Sequence, residues 1–222
     1  MVSLKRMQEP RELSQTDREF QDAIAGMSTK EAYEFYKKNE RRYRYNTKEV
    51  KEIFRKMNHG RCSFCTKCIS DFEDKMTVEH VQIKRDYPQK IFQWSNLLCA
   101  CSICNNKRGT APYQEQSYLD PTGVPDIERY FSYKTDGNII PGEELDLEEQ
   151  QKADYMIKLY KLYRRELVCE RRAFLQDLME DDEYFEILSK KKNSSQSIVF
   201  LSVFTYYRRK KAGSKLPDSL SG

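Results

Sequence analysis

Hydrophobic residues recur at helical spacing in the first quarter of the chain. Within residues 47–57 the apolar side chains fall at i, i+3, i+4 and i+7, and Gly60 follows as a stop signal. A shorter stretch of the same character covers residues 29–38. A polar residue suited to N-capping precedes each stretch. The pattern predicts two helices before residue 60.

The helical spacing gives way to alternation near residue 76. Met76 and Val78 flank the polar Thr77, as in a half-buried strand. Such a strand would deliver the next two residues, Glu79 and His80, at its end. The chain has only two histidines, so a histidine beside a carboxylate at a strand end is a candidate for chemistry.

Turn signals and helical spacing organise the second half of the chain. Paired turn residues leave two short apolar stretches, residues 130–133 and 138–140, which predict a small hairpin. The spacing predicts a helix over residues 145–188, and its apolar stripe would pack either against the core or against a partner protein. After a predicted linker at 190–195, residues 196–207 are expected to form a helix or strand, followed by a disordered basic tail.

Composition narrows the class of protein. Charged residues make up 33% of the chain, hydrophobic residues make up 38%, and the formal net charge is +4. There is no apolar run of about 18 residues and no apolar segment of a secretory signal, so we expect a cytoplasmic protein without membrane contact. A basic and aromatic run at 37–45 suits either phosphate contact with aromatic stacking or a solvated helix end.

Six of the seven cysteines lie between residues 62 and 104. Two CxxC knuckles, brought together, supply the four thiolates of a closed tetrahedral zinc site. Cys68 forms an overlapping CxxC with Cys65, whereas Cys99 lies in an apolar run and is expected to pack as a small hydrophobic residue. The favoured structural zinc ligands are Cys62, Cys65, Cys101 and Cys104.

Residues suited to phosphodiester hydrolysis lie between and beside the knuckles. The reaction needs a base that activates water and a hard cation that neutralises phosphate charge. His80 is suited to act as the base, Glu79 and Asn105 to bind Mg²⁺ or Mn²⁺, and Asn96 to fix the loop that carries the histidine. The phosphate contacts are predicted to come from Lys84, Lys107 and Arg108. The alternative is a zinc ribbon in which Glu79 and His80 are ordinary surface groups.

Together these motifs resemble the HNH, or ββα-metal, endonuclease family. The shared order is a CxxC, an acidic residue with histidine, Asn-Leu, and CxxCN followed by a basic residue and glycine. The resemblance implies that His80 is the general base, that Glu79 and Asn105 bind the catalytic metal, and that Asn96 is the structural middle residue. The four knuckle cysteines would be the zinc frame. This chain has Ile83 where many members have proline, and Asn105 where many have histidine.

The flanking segments resemble the PtuB family, the HNH component of bacterial Septu anti-phage systems and of some retrons. The segments that carry this narrower resemblance are Glu9-Pro10 with Leu13, the helix that leads into residues 60–65, Trp94 to Leu98, Leu119-Asp120-Pro121 and Asp136-Gly137. The resemblance implies an ATPase partner, PtuA, whose docking surface we expect on the C-terminal helices. DNA is the expected substrate and RNA the alternative. A zinc-stabilised binding module without catalysis is the second hypothesis.

The expected fold class is α+β. A small zinc-stabilised ββα-metal module at residues 61–115 would lie between a helical extension at 1–60 and a C-terminal region at 116–222. That region would hold the hairpin and the helices that dock the partner. Affinity for nucleic acid is expected from the basic runs at 37–44 and 208–211, with weak sequence specificity and steep weakening by salt.

Overall fold

The computed structural model of the chain describes residues 1–69, 75–190 and 199–213. These residues fall into two compact units. One, here called the N-terminal unit, is formed mainly by Leu4–Phe64 and Ile69–Tyr118. The other, the C-terminal unit, is formed mainly by the residues from Leu119 onward. The α+β class is confirmed. Most residues of the helical extension and of the module that we separated at residue 60 lie within the N-terminal unit.

Three helices open the N-terminal unit: α1 (Arg11–Ile24), α2 (Thr29–Lys38) and α3 (Lys48–Met57). Both predicted helices are confirmed, and α2 begins with a capping box in which the Ser28 side chain and Glu31 exchange hydrogen bonds with each other's backbone N–H. The Thr47 side chain caps α3 by accepting from Val50 N. Helix α1 was not predicted, although its Leu13, Phe20 and Ile24 are buried.

The buried faces of these helices share a core with the strands that follow. Phe20 of α1 packs edge-on against Phe92, with ring centroids 4.9 Å apart, and against Tyr43 at 5.3 Å. Phe54 of α3 stacks on Trp94 at 4.7 Å. The helical extension therefore supplies half of the core on which the site is built, rather than an independent appendage.

The motif-bearing segment folds as two strands and a helix. Strand β1 (Met76–His80) pairs antiparallel with β2 (Leu97–Cys101), and α4 (Ser102–Arg108) follows β2 directly. In the register, Met76 lies opposite Cys101, and His80 lies opposite Leu97. Short 3₁₀ turns at Pro88–Lys90 and Trp94–Asn96 occupy the connection between the strands. The predicted ββα arrangement is present.

The C-terminal unit contains the predicted hairpin, in which β3 (Phe131–Tyr133) pairs antiparallel with β4 (Ile139–Pro141). The single helix expected over 145–188 is instead three: α5 (Leu147–Leu159), α6 (Arg165–Glu180) and α7 (Asp182–Lys190). The first break falls at Lys161, whose φ of 45° is left-handed. The predicted linker lies almost entirely outside the described residues.

The last described element is α8 (Leu201–Ala212). The basic residues 208–211, which we predicted to be disordered, form its final turn. Three of them make ion pairs within the unit: Arg209 with Asp126 at 2.7 Å, Lys210 with Glu143 at 2.7 Å and Lys211 with Asp182 at 2.5 Å. The expectation of a disordered tail from residue 208 is therefore wrong. Among the described helices, none combines the length and the apolar character that a membrane crossing needs.

Candidate active site

Four cysteines converge at one end of the β1–β2 pair. The Sγ atoms of Cys62, Cys65, Cys101 and Cys104 all lie within 4.8 Å of one another, and all four residues are buried. A tetrahedral zinc ion bonds each sulfur at about 2.3 Å, so this cluster fits the ion with little rearrangement. Cys104 N also donates to Cys101 Sγ at 3.4 Å.

The four cysteines of the cluster are the ones that the CxxC spacing favoured as zinc ligands. Cys99 is fully buried among the hydrophobic core residues, as expected. Its carbonyl accepts a hydrogen bond from Ser63 N at 2.9 Å, which ties the first knuckle to β2. The closed, buried thiolate set is typical of a structural zinc site rather than a catalytic one.

His80 lies at the opposite end of β1 and is 6% exposed. Its Nε2 lies 3.0 Å from the carbonyl oxygen of Ile91, which can only accept, so Nε2 carries the proton and Nδ1 carries the lone pair. Burial lowers the pKa of His80 to about 3, and the charges of Lys84 and Arg108 act in the same direction. The imidazole is therefore neutral near pH 7, the state that can accept a proton.

Glu79, the neighbour of His80, is buried against Arg108. Glu79 Oε1 lies 2.8 Å from Arg108 Nε, with side chains that are 5% and 1% exposed. Neither atom has a regular hydrogen-bond partner among the described residues, so the contact is an ion pair without good alignment. Burial raises the pKa of Glu79 to about 8, although the charge of Arg108 opposes this. Without a cation the carboxyl group is therefore mainly protonated near pH 7, and a bound divalent cation would favour the ionised form, whose oxygens suit a hard cation.

Arg108 ends α4 and holds several groups at once. Its Nη2 donates to the carbonyl of Val81 at 2.8 Å, and its Nη1 donates to the carbonyls of Ala111 and Gly109 at 2.7 and 3.3 Å. The guanidinium therefore touches both chain neighbours of His80, Glu79 before it and Val81 after it. The predicted phosphate contact for Arg108 is corrected, because the side chain is buried and its donors are engaged within the protein.

Asn96 fastens the loop that follows His80. Its Oδ1 accepts from Gln82 N at 2.7 Å, and its Nδ2 donates to the carbonyls of Gln82 and Lys90 at 3.1 and 2.9 Å. The 3₁₀ turn at residues 94–96 presents the side chain, and the side chain is buried. One amide thus joins both ends of the loop, a geometry in agreement with the structural role that we expected.

Asn105 projects from α4 toward β1. Its Nδ2 donates to Thr77 Oγ1 at 2.9 Å, and Thr77 in turn donates to the carbonyl of Ala100 at 3.0 Å. This chain of bonds orients the amide and leaves Oδ1 as its acceptor face. Asn105, Glu79 and His80 line one cavity of about 220 Å³, so the structure brings these three predicted residues together. Two of them offer hard oxygen donors, which fit a divalent cation.

Of the two predicted lysine contacts, one lines the cavity and the other is on the surface. Lys84 lines the cavity, where its Nζ donates to Tyr45 Oη at 3.1 Å and lies 5.2 Å from the centre of the Tyr36 ring. Lys107 is exposed on α4.

Sequence reasoning missed the aromatic lining of the cavity. Tyr33 from α2 and Tyr45 both line it, and the Tyr45 ring meets the His80 ring edge-on at 4.5 Å. The sequence signal for Tyr45 was the basic and aromatic run at 37–45, for which phosphate contact with aromatic stacking and a solvated helix end were both left open. Within that run Tyr43 is buried in the core and Tyr45 reaches the site.

Comparison with known proteins agrees with this geometry. Residues 65–111 match the family model of the HNH endonuclease. The Septu protein PtuB of Bacillus thuringiensis is 36% identical over 74 residues, which cover 33% of this chain and 28% of that protein. The Septu protein PtuB of Bacillus mycoides (strain KBAB4) is 28% identical over 166 residues, which cover 60% of this chain and 53% of that protein.

The chain therefore resembles HNH endonucleases over residues 65–111 and resembles PtuB proteins over a longer stretch, as the motifs predicted. It spans about half or less of the length of these curated relatives.

Proposed function

We propose that this chain is a metal-dependent endonuclease that hydrolyses phosphodiester bonds, with DNA as its substrate. We further propose that it is the cutting subunit of a Septu-type anti-phage complex whose ATPase partner, PtuA, controls it. The observation that carries the nuclease proposal is the His80 geometry. A neutral imidazole, with Nε2 fixed on the Ile91 carbonyl, shares a cavity with two oxygen donors, Glu79 and Asn105.

In this proposal His80 is the general base. Nδ1 takes a proton from a water molecule as the water oxygen bonds to phosphorus and the bond from phosphorus to the departing ester oxygen breaks. Glu79 and Asn105 would hold Mg²⁺ or Mn²⁺, and the bound cation would supply positive charge that offsets the charge of the phosphate and of the departing oxygen. Asn96 keeps the loop after His80 in place through its three hydrogen bonds to Gln82 and Lys90.

Charged side chains divide between binding and positioning. Lys84 and Lys107 contact phosphates of the bound strand. Arg108 is a positioning residue, because its guanidinium holds Glu79 and Val81 on either side of His80. The four-cysteine cluster binds zinc and fixes the start of α4, the helix that carries both Asn105 and Arg108.

The test makes the same substitution, histidine to asparagine, at each of the two histidines of the chain and compares the two variants. His80→Asn removes the base, while His59→Asn removes an exposed imidazole at a left-handed position, which asparagine tolerates. Each variant is incubated with plasmid DNA and with RNA, with and without the ATPase partner, in Mg²⁺, Mn²⁺ or chelator. We expect His80→Asn to lose about 10²- to 10⁴-fold in cleavage rate, as for loss of a general base, and His59→Asn to cleave normally.

Three results would contradict parts of the proposal. Equal cleavage by His80→Asn and wild type would remove His80 from the chemistry. If the protein keeps its zinc and still binds nucleic acid but shows no metal-dependent cleavage under any condition, the binding-module hypothesis is favoured. Cleavage of RNA but not of DNA would keep the mechanism and overturn the substrate.

A further inference from the structure

The cavity at His80 carries aromatic rings for which phosphodiester hydrolysis itself has no use. Tyr33 and Tyr45 line it together with Glu79, His80 and Asn105. Its volume of about 220 Å³ is below the roughly 300–1,000 Å³ of pockets that enclose a whole small ligand. It is therefore suited to one part of a longer chain, such as a single nucleoside unit next to the bond that is cut.

The Tyr45 ring is held in place on several sides. The His80 ring meets it edge-on at 4.5 Å, and Phe92 lies 6.4 Å away from it, centre to centre. Lys84 donates to its hydroxyl and also lies 5.0 Å from the ring centre. Tyr45 thus couples the base of the reaction to a fixed cation, and its orientation is set before any substrate arrives.

Tyr33 is the less constrained ring of the pair. It projects from α2, is half-buried, and has Lys37 Nζ 5.7 Å from its ring centre. An aromatic ring flanked by lysines can stack on a base while the ammonium groups meet the adjoining phosphates. A tyrosine hydroxyl can contact phosphate, but the aromatic ring itself adds nothing to phosphate binding, which needs only charge and hydrogen-bond donors.

In a duplex the faces of each base are covered by its stacked neighbours, so side-chain rings cannot reach them without unstacking. Resting on the proposed nuclease function, we propose that Tyr33 and Tyr45 form a stacking site for an unpaired base beside the scissile phosphate. The substrate class that this site selects is a single strand, or a nucleotide displaced from a duplex, in preference to intact paired nucleic acid.

Tyr33 is the cleaner residue to test, because Tyr45 contacts both His80 and Lys84. The experiment measures kcat/KM on one labelled DNA strand, alone and annealed to its complement, for wild type, Tyr33→Leu and Tyr33→Phe. Tyr163→Leu, at a 52% exposed tyrosine of the C-terminal unit, is the matched control. Stacking on one aromatic ring contributes about 1–3 kcal/mol per base, or about 5- to 150-fold.

We expect the kcat/KM of Tyr33→Leu to fall at least about 5-fold on the single strand and far less on the duplex. Tyr33→Phe, which keeps the ring, should retain the preference. A Tyr33→Leu variant that loses equally on both substrates, or on neither, would overturn the proposal.

A binding measurement separates this proposal from the nuclease proposal. His80→Asn, with and without Tyr33→Leu, is titrated into the same strands carrying a fluorescent base that is quenched by stacking. Quenching on the single strand that disappears with Tyr33→Leu supports the stacking site even if the wild-type protein cuts nothing. Tight binding without Tyr33-dependent quenching overturns it even if cleavage is normal.

Discussion

The cysteine cluster and the His80 cavity occupy opposite ends of the β1–β2 pair, and they are built differently. At one end, four buried cysteine side chains together form a candidate zinc site. At the other, a histidine, a glutamate and two asparagines are each held by a different neighbour. Helix α4 begins at the cysteine end, and its Asn105 and Arg108 reach the cavity end. Because α4 joins the two ends, we expect loss of the cluster to disturb the cavity.

The largest effect is expected from breaking the cysteine end. Cys101→Ser removes one of four thiolates, and structural zinc binding contributes about 10–16 kcal/mol in small zinc domains. We expect loss of bound zinc, loss of the cooperative thermal transition of the N-terminal unit, and loss of cleavage. Zinc content and a melting curve measure this, with Cys169→Ser, at an exposed cysteine, as the control. A wild-type melt without bound zinc would show that the cluster is not a metal site.

The second effect tests the buried pair that joins α4 to β1. Near pH 9, above the pKa of about 8 that burial gives Glu79, Arg108→Met leaves an ionised carboxylate buried without its partner, and breaking a buried pair on one side costs about 3–5 kcal/mol. The double variant Arg108→Met with Glu79→Leu should recover part of this loss in the free energy of unfolding, because no uncompensated charge remains. Chemical denaturation of the four proteins of the cycle gives the coupling. Additive losses would mean that the 2.8 Å contact carries no energetic interaction.

The two ends also differ in how well they were predicted from the sequence. The zinc ligands and strand β1 follow from local spacing, because a CxxC knuckle or an alternating strand is specified by residues close together in the chain. Strand β2 and helix α4 were expected only from the resemblance to the ββα-metal family. Arg108 shows the limit of prediction from local spacing. Its neighbour Lys107 is as basic and as close to the CxxCN motif, but one is exposed and the other is buried against β1.

Tyr33 and α1 illustrate the same limit. The approach of Tyr33 to His80 depends on how α2 packs against the strands, which no local pattern encodes. Helix α1 begins at Arg11 without a side-chain capping bond, and Pro10 and Glu12 were the only signals of its start. The break of the C-terminal helix near Lys161 likewise involves no glycine or proline.

The third effect lies in the loop beside the cavity. Asn96→Ala removes three hydrogen bonds and leaves Gln82 N and two carbonyls unpaired within the loop. Leaving buried polar groups unsatisfied costs about 1–3 kcal/mol, so we expect a lower melting temperature and a lower kcat, with zinc still bound. Asn106→Ala, at an exposed position of α4, is the control. An unchanged kcat despite a lower melting temperature would confine Asn96 to stability.

The smallest effect is expected where neither end is disturbed. Lys107→Ala removes an exposed charge of α4 beside the cavity, and its effect should appear in nucleic-acid binding alone. Each phosphate contact contributes about 0.9 to the slope of log affinity against log salt, so the slope should fall by about that amount while stability and zinc content stay at wild-type values. The control is Lys158→Ala, which removes an exposed charge of α5. If both variants lower the slope equally, Lys107 acts only through net charge; if only Lys107→Ala does so, the bound strand passes along α4. The exposed face of α4 then continues the path of the nucleic acid away from His80.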